Sequence, residues 1–329
     1  MRVCRAPLAG LLLCLALQAP GGQAQETSME AGRKAYERID YAVAIAILNA
    51  AAAKEPSNGE IQLLLTKACL GAGQFNAAVK SGERAVAINP KNSECHNWLG
   101  QAYGEKADHA SMFSAYPLAR KTRKEFETAV LLDERNLDAA QHLVEFDCSA
   151  PSIAGGGEEK AQPQIQKLLA LDASQGHYAA GNCRRQKKDF AGADAEFTKA
   201  LENHPESVDI IDEIASYFAN RGSAERVLAA ADAAETAAPA DPRGEFYRAV
   251  GWVLQGEKLP PAEEILQNYI HAVSRHPSYP GLATAHYWLG QLYEKQKNLA
   301  AARGEYEAAL KLNAKYKKAQ DALKQLGKS

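Results

Sequence analysis

The chain has 329 residues, 46% of them hydrophobic and 24% charged, values of an ordinary globular protein that exclude disordered or collagen-like classes. Aromatics are only 7% while alanine is abundant, which favours helix over a sandwich of short alternating strands. A formal net charge of −2 leaves no electrostatic footprint for nucleic acid, so none is expected as a partner.

The first element in chain order is a leader. Met1-Arg2-Val3-Cys4-Arg5 is a short cationic start, Leu8 to Leu17 is an apolar core, and Pro20-Gly21-Gly22-Gln23-Ala24 is a breaker ending in a small-x-small site. This pattern predicts a secretory signal peptide over residues 1–24, cleaved after Ala24. An uncleaved anchor and lipidation at Cys14 are the alternatives. The apolar core is too short as helix to cross a bilayer. No later apolar stretch approaches 18 residues, so no membrane insertion is expected after cleavage. Four cysteines then remain, Cys69, Cys95, Cys148 and Cys183, with irregular spacing.

From Gln25 onward a period of 34 organises the sequence. Pro56 and Pro90 stand in matching contexts, Ala-Lys-Glu-Pro-Ser-Asn and Ala-Ile-Asn-Pro-Lys-Asn. Leu99-Gly100-x-x-Tyr103 and Leu289-Gly290-x-x-Tyr293 are the same helix written twice, and the second is followed by Ala302-x-x-x-Tyr306-x-x-Ala309. These residues resemble the tetratricopeptide repeat (TPR) at its small and large packing positions. Units are expected to start near Gln25, Gly59, Ser93, Leu137, Ser174, Val208, Pro242 and Ala283. Gly32, Gly100, Gly181 and Gly290 are the small first-helix positions, and Leu48, Phe126, Phe197 and Tyr306 the second-helix knobs. Gln62, His96, His177 and His286 stand where the family pattern has tryptophan. The resemblance implies an all-α, right-handed α-solenoid of about eight helix-turn-helix units over residues 25–316, closed by a capping helix over 317–329. The run Ala150-Pro151-Ser152-Ile153-Ala154-Gly155-Gly156-Gly157 resembles, more loosely, a group of secreted bacterial TPR proteins. That likeness, with the leader, implies a bacterial periplasm or the cell exterior as the expected location.

The third unit carries about ten extra residues between its helices, Gly104 to Tyr116, ahead of a helix starting at Pro117. Met112, Phe113 and Tyr116 in this insertion are either a lid on the core or a contact surface, and packing is favoured. Arg120-Lys121-Thr122-Arg123-Lys124 reads as the wet face of a helix with Phe126 inward.

A search for chemistry returns little. Gly155-Gly156-Gly157 opens a helix, but Glu158 and Glu159 already occupy its dipole and would repel phosphate, so a loop needing positive φ is the expectation. Neither His-x-x-x-His nor Cys-x-x-Cys occurs, and His271 and His276 are five apart. Cys95 and His96 diverge as helix neighbours, and Cys69 falls on a core position. Cys148 and Cys183 lie at similar heights on adjacent first helices and could pair if those faces meet. No catalytic residue, metal ligand or cofactor site is expected.

By the resemblance, the groove wall comes from positions 2, 5, 9 and 12 of each first helix. Its candidate partner-binding residues are Asn97, Gln101, Asp138, Gln141, Glu145, Tyr178, Asn182 and Arg185. Over eight units the four positions hold eight acids and four bases. Several acids also sit where a helix N-terminus favours negative charge without a ligand. Lys67 and Arg185 are isolated, so the two-lysine carboxylate clamp of some family members is not reproduced. The expected function is protein–protein interaction with a peptide segment, basic in character. A self-assembling structural element of an envelope complex is the alternative, and an enzyme the least favoured. Oligomeric state stays open.

Overall fold

Asparagine, aspartate or serine precedes each first helix from the second unit to the seventh, and each accepts backbone N–H groups of the opening turn: Asn58, Asn92, Asn136, Asp172, Ser207 and Asp241. The computed structural model describes residues 28–272 and 279–327, and of Met112 only the backbone. The leader, its Ala24 site, the Gln25 start and His276 lie outside the described residues.

Seventeen α-helices and one short 3-10 turn make up the described residues, with no strand among them. Eight antiparallel pairs follow one another: α1 (Ser28–Glu37) with α2 (Tyr41–Lys54), α3 (Gly59–Gly71) with α4 (Phe75–Ile88), α5 (Ser93–Asp108) with α6 (Met112–Leu132), α7 (Leu137–Ser149) with α8 (Glu158–Leu171), α9 (Ala173–Gln186) with α10 (Phe190–Glu202), α11 (Val208–Asn220) with α12 (Ala224–Ala237), α13 (Pro242–Gln255) with α14 (Leu259–Ala272), and α15 (Leu282–Lys295) with α16 (Leu299–Leu312). α17 (Lys317–Leu326) follows and buries Ala319 and Ala322. Each first helix touches the next, from α1 to α15, whereas among second helices only α10 and α12 do so closely. First helices therefore line the tighter, inner face of an α-solenoid.

The pairs close through small residues set against large ones. A Cβ placed on Gly100 would come within 2.6 Å of the Phe126 ring, on Gly181 within 2.6 Å of Phe197, and on Gly290 within 2.5 Å of Tyr306. Each of those knobs is buried. A methyl group at any of the three glycines would force the helices apart.

The third unit differs from its expected form. Its ten extra residues are not a loop: α5 has 16 residues and α6 has 21, against 13 and 14 in the unit before. Pro117 lies inside α6. It is tolerated there because the carbonyl it deprives of a partner belongs to Phe113, the second residue of the helix and an exposed one. Phe113 is 93% exposed and so does not cover the core. The basic run is the wet face expected at Arg120, Lys121 and Lys124, which are exposed with Phe126 buried, but not at Thr122 and Arg123. Arg123 forks onto Asp147, with Nε to Oδ1 at 2.8 Å and Nη2 to Oδ2 at 3.2 Å, and that carboxylate is wholly buried. Burial pushes the Asp147 carboxyl up even so, and the Arg123 fork pulls it back down. Thr122 is buried, and Arg120 donates to the Ile153 carbonyl. Lys121 lies 4.9 Å from the Tyr103 ring centre.

The triple-glycine loop follows its expected geometry. Gly155 and Gly157 have φ of 102° and 150°, and a Cβ on Gly156 would sit 2.1 Å from the Ala150 carbonyl oxygen. Across this loop Cys148 and Cys183 are joined as a disulfide, with 5.3 Å between their Cα atoms. Cys69 and Cys95 are buried free thiols.

This packing makes the repeat register testable. Ala302 is fully buried and Lys311 is exposed on the same helix. Ala302→Arg should cost about 3 kcal/mol or more by burying an unpaired charge, and Lys311→Ala less than about 0.5 kcal/mol. Urea melts of the two variants check this, and equal midpoints contradict the register.

Candidate functional site

Residues at the groove-wall positions divide between two hollows on the inner face. One, of about 710 Å³, lies over α3, α5 and α7 and is lined by Lys67, Glu94, Asn97, Trp98 and Asp138. Lys67 is not isolated there: its Nζ reaches Glu94 Oε1 at 2.5 Å and lies 5.0 Å from the Trp98 ring centre. Asn97 is only 3% exposed, and His142 Nδ1 donates to its Oδ1 at 2.9 Å. Burial pushes the His142 ring down, keeping it neutral with a proton for that bond. Asn97 thus ties α5 to α7 and has little surface for a ligand. Gln101 is half-buried on α5, and Asp138 is exposed in the first turn of α7.

The second hollow, of about 410 Å³, is lined by Arg185 on α9, Phe190, and Asp212, Glu213, Ser216 and Tyr217 on α11. Tyr178 is buried to 7% and its hydroxyl donates to Glu213 Oε2 at 2.6 Å. Burial and the Glu213 charge push that hydroxyl far up, so it stays a donor. Asn182 is half-buried beside it, and its Oδ1 has no partner. Gln141 Nε2 donates to Gln175 Oε1 at 2.7 Å, linking α7 to α9. Of the candidates, the structure therefore gathers Glu145, Tyr178, Asn182 and Arg185, and places Asn97, Gln101 and Asp138 elsewhere.

Glu145 is exposed, yet its carboxyl is pushed up by desolvation inside the concavity and by the charge of Glu213, against the pull of Arg185. Asp212 and Glu213 complete the cluster and were not among the candidates. Burial raises the Asp212 carboxyl to about 6, while the Tyr247 hydroxyl donating to Oδ1 at 3.0 Å and the charge of Arg243 oppose the rise. None of Glu145, Asp212 and Glu213 has a lysine or arginine within ion-pair distance among the described residues. The inner face here can accept cationic hydrogen-bond donors. The described residues hold no group of three or more His, Cys, Asp or Glu placed for a metal ion, and none of their helices is long and apolar enough to cross a membrane.

Helix pairs stacked in one register around an inner groove define an α-solenoid of the kind that supports protein-interaction scaffolds. Family models for the tetratricopeptide repeat match residues 35–101 and 283–316, near the two ends of the described chain. Over both stretches the chain carries tetratricopeptide repeats. Similar solved structures include a TPR protein of Thermus thermophilus, 21% identical, covering 57% of this chain and 96% of that one at a TM-score of 0.47. A tetratricopeptide repeat protein from Parabacteroides merdae is 14% identical, covering 93% and 99% at a TM-score of 0.44. No curated protein matches the sequence significantly. The assignment rests on the two family models and the helix-pair geometry.

The raised Asp212 carboxyl sets a pH dependence. The native state holds a proton there up to about pH 6, the unfolded state only to about 4, so stability from this site is fully present below pH 4 and is lost as pH rises through 6. Asp212→Asn should therefore melt above the parent at pH 7 and level with it at pH 4. Calorimetric melts at both values check the sign.

Proposed function

We propose that this protein is an exported, non-catalytic interaction scaffold whose inner groove, at α7, α9 and α11, receives a partner segment rich in lysine or arginine. One observation carries the reading: Glu145, Asp212 and Glu213 share a concave face with no lysine or arginine within ion-pair distance among the described residues, and Glu145 and Asp212 are held up in pKa by their own surroundings. A cation entering the groove relieves that cost and restores charge balance. Tyr178 presents Glu213 in a fixed orientation. Arg185 limits the field to one side of the hollow and gives the bound segment a direction. Such binding weakens with salt, because exposed charges are screened over about 8 Å at physiological ionic strength.

Titration calorimetry with an unstructured lysine- and arginine-rich peptide, against its glutamate-substituted counterpart, tests the groove. The basic peptide should bind and the acidic one should not. The double variant Glu145→Gln, Glu213→Gln should lose about tenfold in affinity, or about 1.4 kcal/mol, with its circular dichroism unchanged. If that variant binds as the parent does and Phe113→Ala, Tyr116→Ala does not, the recognition surface is α6 and the groove reading fails.

Export is supported by the leader pattern in residues 1–24 and by the Cys148–Cys183 bridge, a bond that persists in oxidising compartments. N-terminal sequencing of the envelope or secreted fraction should return Gln25. An intact Met1 in a membrane pellet overturns the assignment.

A further inference from the structure

Three units fill the same place in the same way. His96 Nδ1 meets Glu125 Oε2 at 2.6 Å, His177 meets Glu196 at 2.7 Å, and His286 meets Glu305 at 2.7 Å. In each, the fourth residue of the repeat unit pairs with a carboxylate that directly precedes the second-helix knob. The second unit breaks the pattern. Its fourth residue is Gln62, and the residue in the place of those glutamates is Ser81, too short to reach it. The Ser81 hydroxyl instead bonds Thr66 and the carbonyls of Ala77 and Ala78. Gln62 is 2% exposed and its Nε2 has no partner. A buried amide donor left in this way is costly.

The space that results is a cleft of about 380 Å³ on the outer side of the solenoid, within the range of small-molecule sites. Ile45 and Ala52 of α2 form one wall, Gln62 and Leu65 of α3 the floor, and Lys80 and Arg84 of α4 the other wall. Among the described residues Lys80 and Arg84 have no carboxylate within ion-pair distance, and Arg84 donates to the Pro56 carbonyl. An orphaned donor at the floor, two uncompensated cations beside it and an aliphatic wall together specify an anion with a short apolar body.

We propose that this cleft binds a small organic carboxylate, which takes the position that a glutamate occupies in the third, fifth and eighth units. Its carboxylate accepts from Gln62 Nε2, Lys80 and Arg84 balance its charge, and its aliphatic part lies on Ile45, Ala52 and Leu65. The site is separate from the inner groove, so either can fail without the other.

Calorimetry with hexanoate as probe on the full chain tests this, with hexanamide as the uncharged control. Hexanoate should bind, and hexanamide at least about tenfold more weakly. Gln62→Leu, and separately the exposed pair Lys80→Gln, Arg84→Gln, should each weaken hexanoate by about tenfold, while Ser81→Glu should abolish binding by supplying the missing carboxylate from within. The lysine and arginine positions are exposed, so that variant keeps the fold even if Gln62→Leu or Ser81→Glu does not. Equal binding of acid and amide, no hexanoate binding at millimolar concentration, or full binding by the Lys80, Arg84 variant overturns the proposal. So does an acidic peptide that binds through Lys80 and Arg84 where hexanoate does not, since the occupant is then a protein side chain.

Discussion

A glycine on one helix facing a bulky ring on its partner is the contact on which this molecule depends. Gly100 against Phe126, Gly181 against Phe197 and Gly290 against Tyr306 set how closely two helices approach, and hence where the next pair must lie. Repeated along the chain, that spacing aligns the first helices into a continuous inner row. The buried residues form successive clusters, the largest running from Tyr178 to Leu292, so each unit takes its stability mainly from its neighbours. The groove is a by-product of this stacking. Its charge is carried by positions that the packing leaves free.

Those positions explain how far the sequence could be read. The register was legible because small and large residues recur at one spacing, and a one-residue slip would take Ala302 out of its buried place. The third unit misled because an excess of ten residues with a proline in it looks like a loop, although each added turn simply prolongs two existing helices. Wall positions proved an imperfect guide for a related reason: Asn97 and Tyr178 are buried, each bonded to a residue of the next first helix, His142 and Glu213. Glu213 lies one residue past a wall position, which a strict four-position rule skips. The pairing of His96, His177 and His286 with the glutamates before their knobs was available in the letters alone, as a covariation between units of one chain. Nothing in the letters separated Asp147 from other aspartates, since its importance comes from being buried against Arg123.

Electrostatics divides the two faces. On the inner face carboxylates crowd in a concavity, and Tyr178 and Tyr247 hold their orientation without neutralising them. On the outer face of the second unit the imbalance has the opposite sign, with donors and cations lacking an acid. A scaffold built from near-identical units acquires individual sites where one unit omits a residue that the others retain.

The Cys148–Cys183 bridge has a mechanical consequence. It joins the first helices of the fourth and fifth units and encloses α8 and the triple-glycine loop. A solenoid pulled by its ends normally surrenders its full contour, unit after unit. Here the chain between the two cysteines, a sequence separation of 35, is shunted by a covalent bond, which withholds about 120 Å of extension at about 3.4 Å per residue. Force therefore passes across the middle of the molecule without drawing out the contour of α8.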